Sequence, residues 1–248
     1  MAETIGFPGR RAGVGLDAGF VPNPGAMSLI VKICGLSTEE TLDAALAAGA
    51  DMVGFNFFPR SPRFVSTANA AALAKRGRGR AEIVALVVDM DDATIGEVVE
   101  TLKPDWLQLH GQESVERVAA IGRRFGIRTM KAVGVAGAAD LALAASYAGV
   151  ADRLLLDAKP PKDATRPGGN ARTFDWRLVV GFAPGVPYLL SGGLTPMNVA
   201  EAISVTGAPG VDVSSGVETA PGKKDPALIR EFIANARAVV RAKEKVAS

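Results

Sequence analysis

Three side chains that could move protons stand where predicted strands end. Cys34, the only cysteine in the 248 residues, closes the run LIVKIC and is followed by Gly35. His110, the only histidine, closes WLQLH, and Asp157 lies near the end of RLLLDA. Thiol, imidazole and carboxyl groups are common general acids and bases. If these strands lie parallel in one sheet, the three groups share one edge, and acid–base catalysis is the expected chemistry.

Two further predicted strands end in glycine and serine. LLSGGL brings Gly192 and Gly193 after one strand, and VDVSSGVE brings Ser215 and Gly216 after the last. Glycine lets the backbone approach a ligand closely, and helix N-termini behind such loops favour negative charge. A pair of ordinary tight turns is the alternative. Because the two loops follow neighbouring strands, a phosphate site is the favoured interpretation.

A proline-flanked loop after the second predicted strand carries arginines. The segment FFPRSPRFVS holds Arg60 and Arg63 between its prolines. A guanidinium on a stiffened loop suits an anionic substrate, since its planar N–H groups match a carboxylate or phosphate. The alternative for Arg63 is a solvated surface charge.

Short β-rich runs alternate with Ala-rich segments of helical period from residue 28 onward. Predicted strands cover 29–34, 52–57, 82–88, 106–110, 129–135, 153–158, 187–192 and 210–215. Predicted helices between them include 175–182 and 195–205, the latter with Thr195 as N-cap and Pro196 at its first position. This alternation implies βαβ units and a parallel sheet.

Eight such units close into a (β/α)₈ barrel, whose catalytic groups sit at the carboxyl ends of the strands. The predicted fold is therefore one α/β TIM barrel over residues 28–248. A doubly wound sheet is disfavoured, because no GxGxxG follows the first strand. Residues 1–27 are rich in Gly and Pro and are predicted to be a disordered extension. A targeting arm is the alternative for them, as is a start at Met27.

Composition excludes several classes of protein. Hydrophobic residues make up 48% of the chain, enough for a full core, and the net charge of +2 is too small to indicate nucleic-acid binding. No apolar run approaches the ~20 residues that span a bilayer, so no membrane association is expected. A lone cysteine excludes an internal disulfide and indicates the reducing cytoplasm. One cysteine and one histidine cannot form a Cys/His zinc site, and no metal is expected.

These residues together resemble the phosphoribosylanthranilate isomerase family. The resemblance rests on KICGL (32–36), GADMVGFNFFPRSPRFVS (49–66), QLHG (108–111), LLLDAK (154–159), GGNARTFDW (168–176), LSGGLTPMNV (190–199) and VDVSSGVETAPGKKD (211–225). It implies a TIM barrel that converts the aminoaldose N-(5-phosphoribosyl)anthranilate into an aminoketose by an Amadori rearrangement, in tryptophan biosynthesis. It also implies a small phosphosugar–anthranilate substrate, no cofactor, and a monomer or a homodimer.

The resemblance assigns the base to Cys34 and the acid to Asp157. A free thiol titrates near ~8.5, so a modest lowering of its pKa would suit a base at neutral pH. A free aspartate is ionised at neutral pH, so Asp157 needs surroundings that favour its protonated form. A nearby ammonium would act against this, and Lys159 is therefore predicted to point away from Asp157.

The resemblance also assigns the groups that bind substrate. Arg63 would pair with the anthranilate carboxylate, Asp212 would bond ribose hydroxyls, and His110 would lie near the anthranilate ring without transferring protons. The phosphate would bind the backbone N–H groups of Gly192, Gly193, Ser215 and Gly216.

Three other functions remain open at this point. The aminoaldose isomerase of histidine biosynthesis performs the same rearrangement with two aspartates, and a cysteine on the first strand disfavours both it and a bifunctional enzyme. A Schiff-base aldolase would use Lys131, inside the fifth predicted strand, as its nucleophile. A phosphosugar-binding barrel without catalytic activity is the third.

Overall fold

The computed structural model describes residues 29–160, 167–169 and 173–247. Within these ranges, eight parallel strands close into a barrel in chain order, β1 to β8. The strands are β1 Ile30–Cys34, β2 Met52–Asn56, β3 Glu82–Val87, β4 Trp106–Leu109, β5 Arg128–Val135, β6 Arg153–Ala158, β7 Tyr188–Leu190 and β8 Gly210–Val213. The predicted TIM barrel is thus confirmed. The extension predicted at residues 1–27 lies outside the described residues.

Seven α-helices lie between or after the strands in the described part of the chain. They are α1 Glu39–Ala47, α2 Thr67–Gly77, α3 Asp92–Leu102, α4 Val115–Phe125, α5 Ala138–Ser146, α6 Val199–Thr206 and α7 Pro226–Ala247. Four begin at a side chain that accepts from a backbone N–H three residues on, which satisfies a free donor of the first turn. These N-caps are Thr38, Ser66, Asp91 and Ser114. None of the helices described is long and apolar enough to cross a membrane.

Two predicted helices were wrong in extent. The segment 175–182 forms only a short 3₁₀ turn, Trp176–Val179, because Gly181 adopts a φ of 76° and turns the chain. The helix expected from Thr195 begins instead at Val199. Before it, the side chain of Asn198 accepts from the Thr195 N–H at 2.7 Å and donates to the Gly193 carbonyl at 3.1 Å.

The barrel interior is filled in layers by side chains from alternate strand positions. One apolar layer is buried apart from the outer core, with Ile30 packed against it. It consists of Met52, Val84, Trp106, Met130, Ala132, Leu155 and Leu189. The larger core lies between the barrel and its helices. This layer closes the lower interior, and a cavity opens above it, where the strands reach their carboxyl ends.

Candidate active site

One cavity at the carboxyl ends of the strands, with about 730 Å³ of empty space, collects most of the predicted site. Its wall includes eight of the nine predicted side chains or backbone groups. These are Cys34, Arg63, His110, Asp157, Gly192, Gly193, Asp212 and Ser215. Gly216 lies outside that wall and packs so closely on Leu194, which is part of the wall, that a Cβ would overlap its carbonyl oxygen.

Cys34 ends β1 and is 4% exposed, with its surface on the cavity. Burial raises the pKa of its thiol, since an ionised sulfur is poorly solvated there. The Lys32 ammonium opposes this rise, the Asp212 carboxylate adds to it, and the Lys224 ammonium opposes it again. The modest lowering of the Cys34 pKa that would suit a base is not found in this structure, because burial outweighs the neighbouring cations.

A buried ion pair that the sequence analysis missed lies beside this thiol. Lys32 and Asp212 are register partners on β1 and β8, and their Nζ and Oδ1 atoms are 2.7 Å apart. The second oxygen of Asp212 accepts from the Ser191 hydroxyl at 3.1 Å. A lysine inside an otherwise apolar strand, two positions before Cys34, was the available signal. Each carboxylate oxygen has a second lone pair, so Asp212 can still accept from a substrate hydroxyl.

Asp157 is 7% exposed and has two polar contacts among the described residues. Its Oδ1 accepts from the backbone N–H of Ala158 at 2.8 Å. Its Oδ2 is 3.3 Å from His110 Nε2. His110 Nδ1 is hydrogen-bonded to the Gln108 side-chain amide at 2.9 Å, which fixes the imidazole ring beside Asp157. His110 is thus a partner of the predicted acid as well as part of the cavity wall.

The surroundings of Asp157 depend on two nearby residues, Lys159 and Gly168. Lys159 points away and pairs with Asp140 at 2.8 Å, with 57% of its side chain exposed, as predicted. Gly168 instead lies directly against the site. A Cβ added there would be 2.6 Å from Asp157 Oδ2 and 2.7 Å from His110 Nε2. This position therefore has no room for a side chain unless the predicted acid or His110 moves.

Arg63 lies on the cavity wall within a charged cluster. Its Nε and Nη2 donate to the two carboxylate oxygens of Glu218 at 2.7 and 2.8 Å. Lys224 donates to the same carboxylate at 2.7 Å, and it also donates to the Ser214 carbonyl at 2.9 Å. The side chains of Arg63, Glu218 and Lys224 are at most 4% exposed. Because two cations surround one carboxylate, the cluster has a net positive charge that favours binding of a further anion.

Glu218 and Lys224 belong to an antiparallel hairpin after the barrel, β9 Glu218–Ala220 and β10 Lys223–Lys224. Burial opposes ionisation of Glu218, but the Arg63 hydrogen bond and the Lys224 charge outweigh it and hold its pKa below the usual value. Burial lowers the pKa of Lys224, although Glu218 acts against this. Neither residue was predicted from the sequence, although both lie in the VDVSSGVETAPGKKD segment.

The two glycine-serine loops form one side of the cavity. Gly192 and Gly193 adopt φ angles of 84° and 64°, the left-handed region that favours glycine. The strands predicted at 187–192 and 210–215 were too long, since β7 ends at Leu190 and β8 ends at Val213. The shorter strands leave these loops on the rim. The expected helix N-terminus does not follow SGG directly, because α6 begins only at Val199.

Lys131, the nucleophile of the aldolase alternative, faces a different cavity from Cys34. Its side chain is 3% exposed, and its Nζ donates to Glu113 and to the Gly111 carbonyl, both at 2.7 Å. Because Nζ is held by these acceptors and Lys131 is not part of the cavity that contains Cys34 and Asp157, the aldolase is disfavoured. Within the described residues, no group of three or more His, Cys, Asp or Glu side chains could hold a metal ion.

Fold and site together define a (β/α)₈-barrel enzyme that joins a thiol and a carboxyl group on one glycine-lined rim. Residues 31–235 match the family of N-(5′-phosphoribosyl)anthranilate (PRA) isomerases, and the chain belongs to that family. It is 60% identical over 212 residues to the N-(5′-phosphoribosyl)anthranilate isomerase of Nitrobacter hamburgensis, covering 86% of this chain and 94% of the relative.

Solved structures of this family resemble the barrel. Monomers generated from the dimeric enzyme of Thermotoga maritima align with a TM-score of 0.74 and 37% identity, over 85% of this chain and all of that one. A phosphoribosyl anthranilate isomerase in complex with reduced 1-(o-carboxyphenylamino)-1-deoxyribulose 5-phosphate aligns with a TM-score of 0.74 and 35% identity, again over 85% and 100%. The chain is thus an isomerase of tryptophan biosynthesis that acts on N-(5′-phosphoribosyl)anthranilate.

Proposed function

We propose that Cys34 is the general base and Asp157 the general acid of this isomerisation. The observation that supports this assignment is that both groups open onto one cavity at the barrel rim. They come from β1 and β6, on different sides of the closed barrel. A sugar bound between them would therefore meet the acid on one side and the base on the other.

In the proposed reaction, Asp157 first gives its proton to the ring oxygen of the ribose. The furanose bond to C1′ breaks, and the anilino nitrogen supplies the electron pair that forms the C1′ Schiff base. Cys34, as thiolate, then takes the proton from C2′. The electron pair left on C2′ forms the C1′–C2′ double bond of an enolamine, which tautomerises to the ketone. The net change moves hydrogen within the substrate and requires no external oxidant or reductant.

The acid role requires a proton on Asp157 when substrate is bound. His110 Nε2, 3.3 Å from Oδ2, fixes the orientation of this carboxyl group. The substrate brings a phosphate and a carboxylate into the cavity, and negative charge near a carboxyl group favours its protonated form. We therefore infer that the charges of the bound substrate support the acid role of Asp157.

The remaining groups bind the two ends of the substrate. Arg63 would bind the anthranilate carboxylate, with Glu218 holding its guanidinium in place. The backbone N–H groups of the two loops, at Gly192, Gly193, Ser215 and Gly216, would bind the phosphate. Asp212 would accept from a ribose hydroxyl. The anthranilate ring would lie near His110.

Location and assembly are further proposals. A buried reduced thiol in the active site suits the cytoplasm, where thiols stay reduced. The Thermotoga maritima relative is described as a dimer. For this chain a monomer or a homodimer is proposed, and light scattering coupled to size-exclusion chromatography decides between them.

Two single substitutions test the assignment of acid and base. Cys34→Ala and Asp157→Asn should each lower kcat by about two to four orders of magnitude, the usual contribution of a positioned acid or base. Affinity for the reduced product analogue should stay close to wild type, because neither change removes a binding group for its charged ends. Turnover is followed by anthranilate fluorescence, with complementation of a tryptophan auxotroph as a second readout. A Cys34→Ala enzyme that keeps about a tenth of wild-type kcat would exclude the thiol as base.

A further inference from the structure

Lys32 is a buried charge below the active site that the proposed reaction does not use. Its side chain is 0% exposed, and it does not belong to the wall of the cavity. It precedes Cys34 by two positions on β1, so both side chains point to the same side of the strand. The ammonium therefore lies one layer beneath the thiol and outside the reach of the substrate.

Burial of this ammonium is costly, and the surrounding charges show what offsets the cost. Asp212 holds Nζ at 2.7 Å from the neighbouring strand. Cys34, two positions further along β1, is the second group whose charge favours the ammonium form of Lys32. Burial lowers the pKa of Lys32, but Asp212 and Cys34 together outweigh it, so the net shift is upward and Lys32 stays charged.

In the described part of the chain, the charged groups that act on the thiol are Lys32, Asp212 and Lys224. Lys224 is already bound to the Glu218 carboxylate at 2.7 Å, which neutralises much of its charge. Among the three, Lys32 is the strongest influence that favours the thiolate. It thereby opposes the burial of the sulfur, which disfavours the form that a base requires.

We propose that Lys32 is a positioning residue of the active site, whose ammonium stabilises the thiolate form of Cys34 and is itself held in place by Asp212. This inference rests on the proposed role of Cys34 as the base. Asp212 would then have two functions, since it fixes Lys32 through one oxygen and faces the substrate on the cavity wall.

The thiolate can be observed directly, because Cys34 is the only cysteine of the chain. Ultraviolet absorbance of the full-length protein is titrated against pH, and the titration of a Cys34→Ser variant is subtracted to remove the tyrosine signal. The same pH range is used for kcat/KM, whose rising limb reports the base of the free enzyme. Circular dichroism at each pH shows that each variant remains folded.

Lys32→Met removes the ammonium at similar length. The thiolate midpoint should rise by at least about one pH unit, which lowers the thiolate fraction at neutral pH by about tenfold. The rising limb of kcat/KM should move by the same amount. A purely structural ion pair would lower stability and leave both midpoints in place.

The single change Lys32→Met leaves Asp212 as an uncompensated buried charge, which is strongly destabilising. A second variant keeps the proposal testable if Lys32→Met does not fold. Lys32→Met/Asp212→Asn removes both charges, and its thiolate midpoint should lie between those of wild type and Lys32→Met. Lys131→Met serves as a matched control. It also removes a buried ammonium from a barrel strand, but on β5 and paired with Glu113, and it should leave the thiolate midpoint unchanged.

An unchanged thiolate midpoint in folded Lys32→Met, or in the double variant, overturns the proposal. If the thiolate midpoint rises while the rising limb of kcat/KM stays in place, another group is the base. The catalytic role of Lys32 would then be refuted together with that of Cys34.

Discussion

Replacement of Glu218 by glutamine should destabilise the protein and loosen the arginine that faces the cavity. Glu218 accepts four hydrogen bonds, two from Arg63 at 2.7 and 2.8 Å, one from Lys224 at 2.7 Å and one from the Gly222 N–H at 3.2 Å. A glutamine keeps the shape but has one acceptor oxygen, and its NH₂ group would face a cationic donor. Two of the four bonds would be lost, at least one of them charge-assisted, and two buried cations would remain without a carboxylate between them.

The loss of unfolding free energy in Glu218→Gln follows from the burial of this cluster. Removing one partner of a buried ion pair destabilises a protein by about 3–5 kcal/mol. We expect the lower end, about 3 kcal/mol, because Lys224 can shed its proton more easily than an exposed lysine. The measurement is urea unfolding at neutral pH, followed by circular dichroism. Glu39→Gln is the matched control, since Glu39 pairs with Arg76 at 3.3 Å on the surface and should change stability by less than about 1 kcal/mol.

The pH dependence gives a second test. The pKa of Glu218 is lowered in the folded state, so its contribution is complete above the unfolded value of about 4.3 and is lost as pH falls through the folded value. The difference between wild type and Glu218→Gln should therefore shrink below about pH 4.3. A neutral-pH difference no larger than that of Glu39→Gln would refute the reasoning, as would a difference that does not shrink in acid.

Three more substitutions test the site. Arg63→Met should raise KM by about tenfold or more with little change in kcat, because a charge-assisted contact to the substrate is lost; an unchanged KM removes Arg63 from the carboxylate site. Gly168→Ala should lower kcat by about 10- to 100-fold, since a Cβ would displace Asp157 or His110. Gly149→Ala, where a Cβ would meet nothing within 4 Å, is its control, and equal kcat values for the two would contradict the assigned packing. Lys159→Met should leave kcat unchanged, since Lys159 pairs with Asp140 outside the cavity; a large loss would mean that Lys159 reaches Asp157 during turnover.

The barrel could be predicted because its signals are local. Each strand and most helices follow from short-range periodicity, and a strand end is marked by the glycine or polar residue that follows it. Once the strands are known to be parallel, Cys34 and Asp157 must share the rim. The helix predicted at 175–182 failed for a local reason as well, since Gly181 turns a segment whose apolar pattern still suits a helix.

The charged pairs of the site could not be predicted in the same way. Lys32 and Asp212 are 180 residues apart in the chain, and Arg63 and Glu218 are 155 apart. Their contact depends on closure of the barrel and on the register between its first and last strands. The rise in the Cys34 pKa depends on burial and on charges from three segments of the chain, so the residue type alone could not give its direction.

The central claim is that Cys34 and Asp157 act on one sugar from two sides of the same rim. A crystal structure of this chain with reduced 1-(o-carboxyphenylamino)-1-deoxyribulose 5-phosphate, the ligand of a solved relative, tests it most directly. We expect the Cys34 sulfur within about 3.5 Å of C2′, and a carboxyl oxygen of Asp157 within about 3.2 Å of the oxygen that closes the furanose ring. A ligand whose C2′ faces another side chain, or whose ribose lies away from Asp157, would contradict the account.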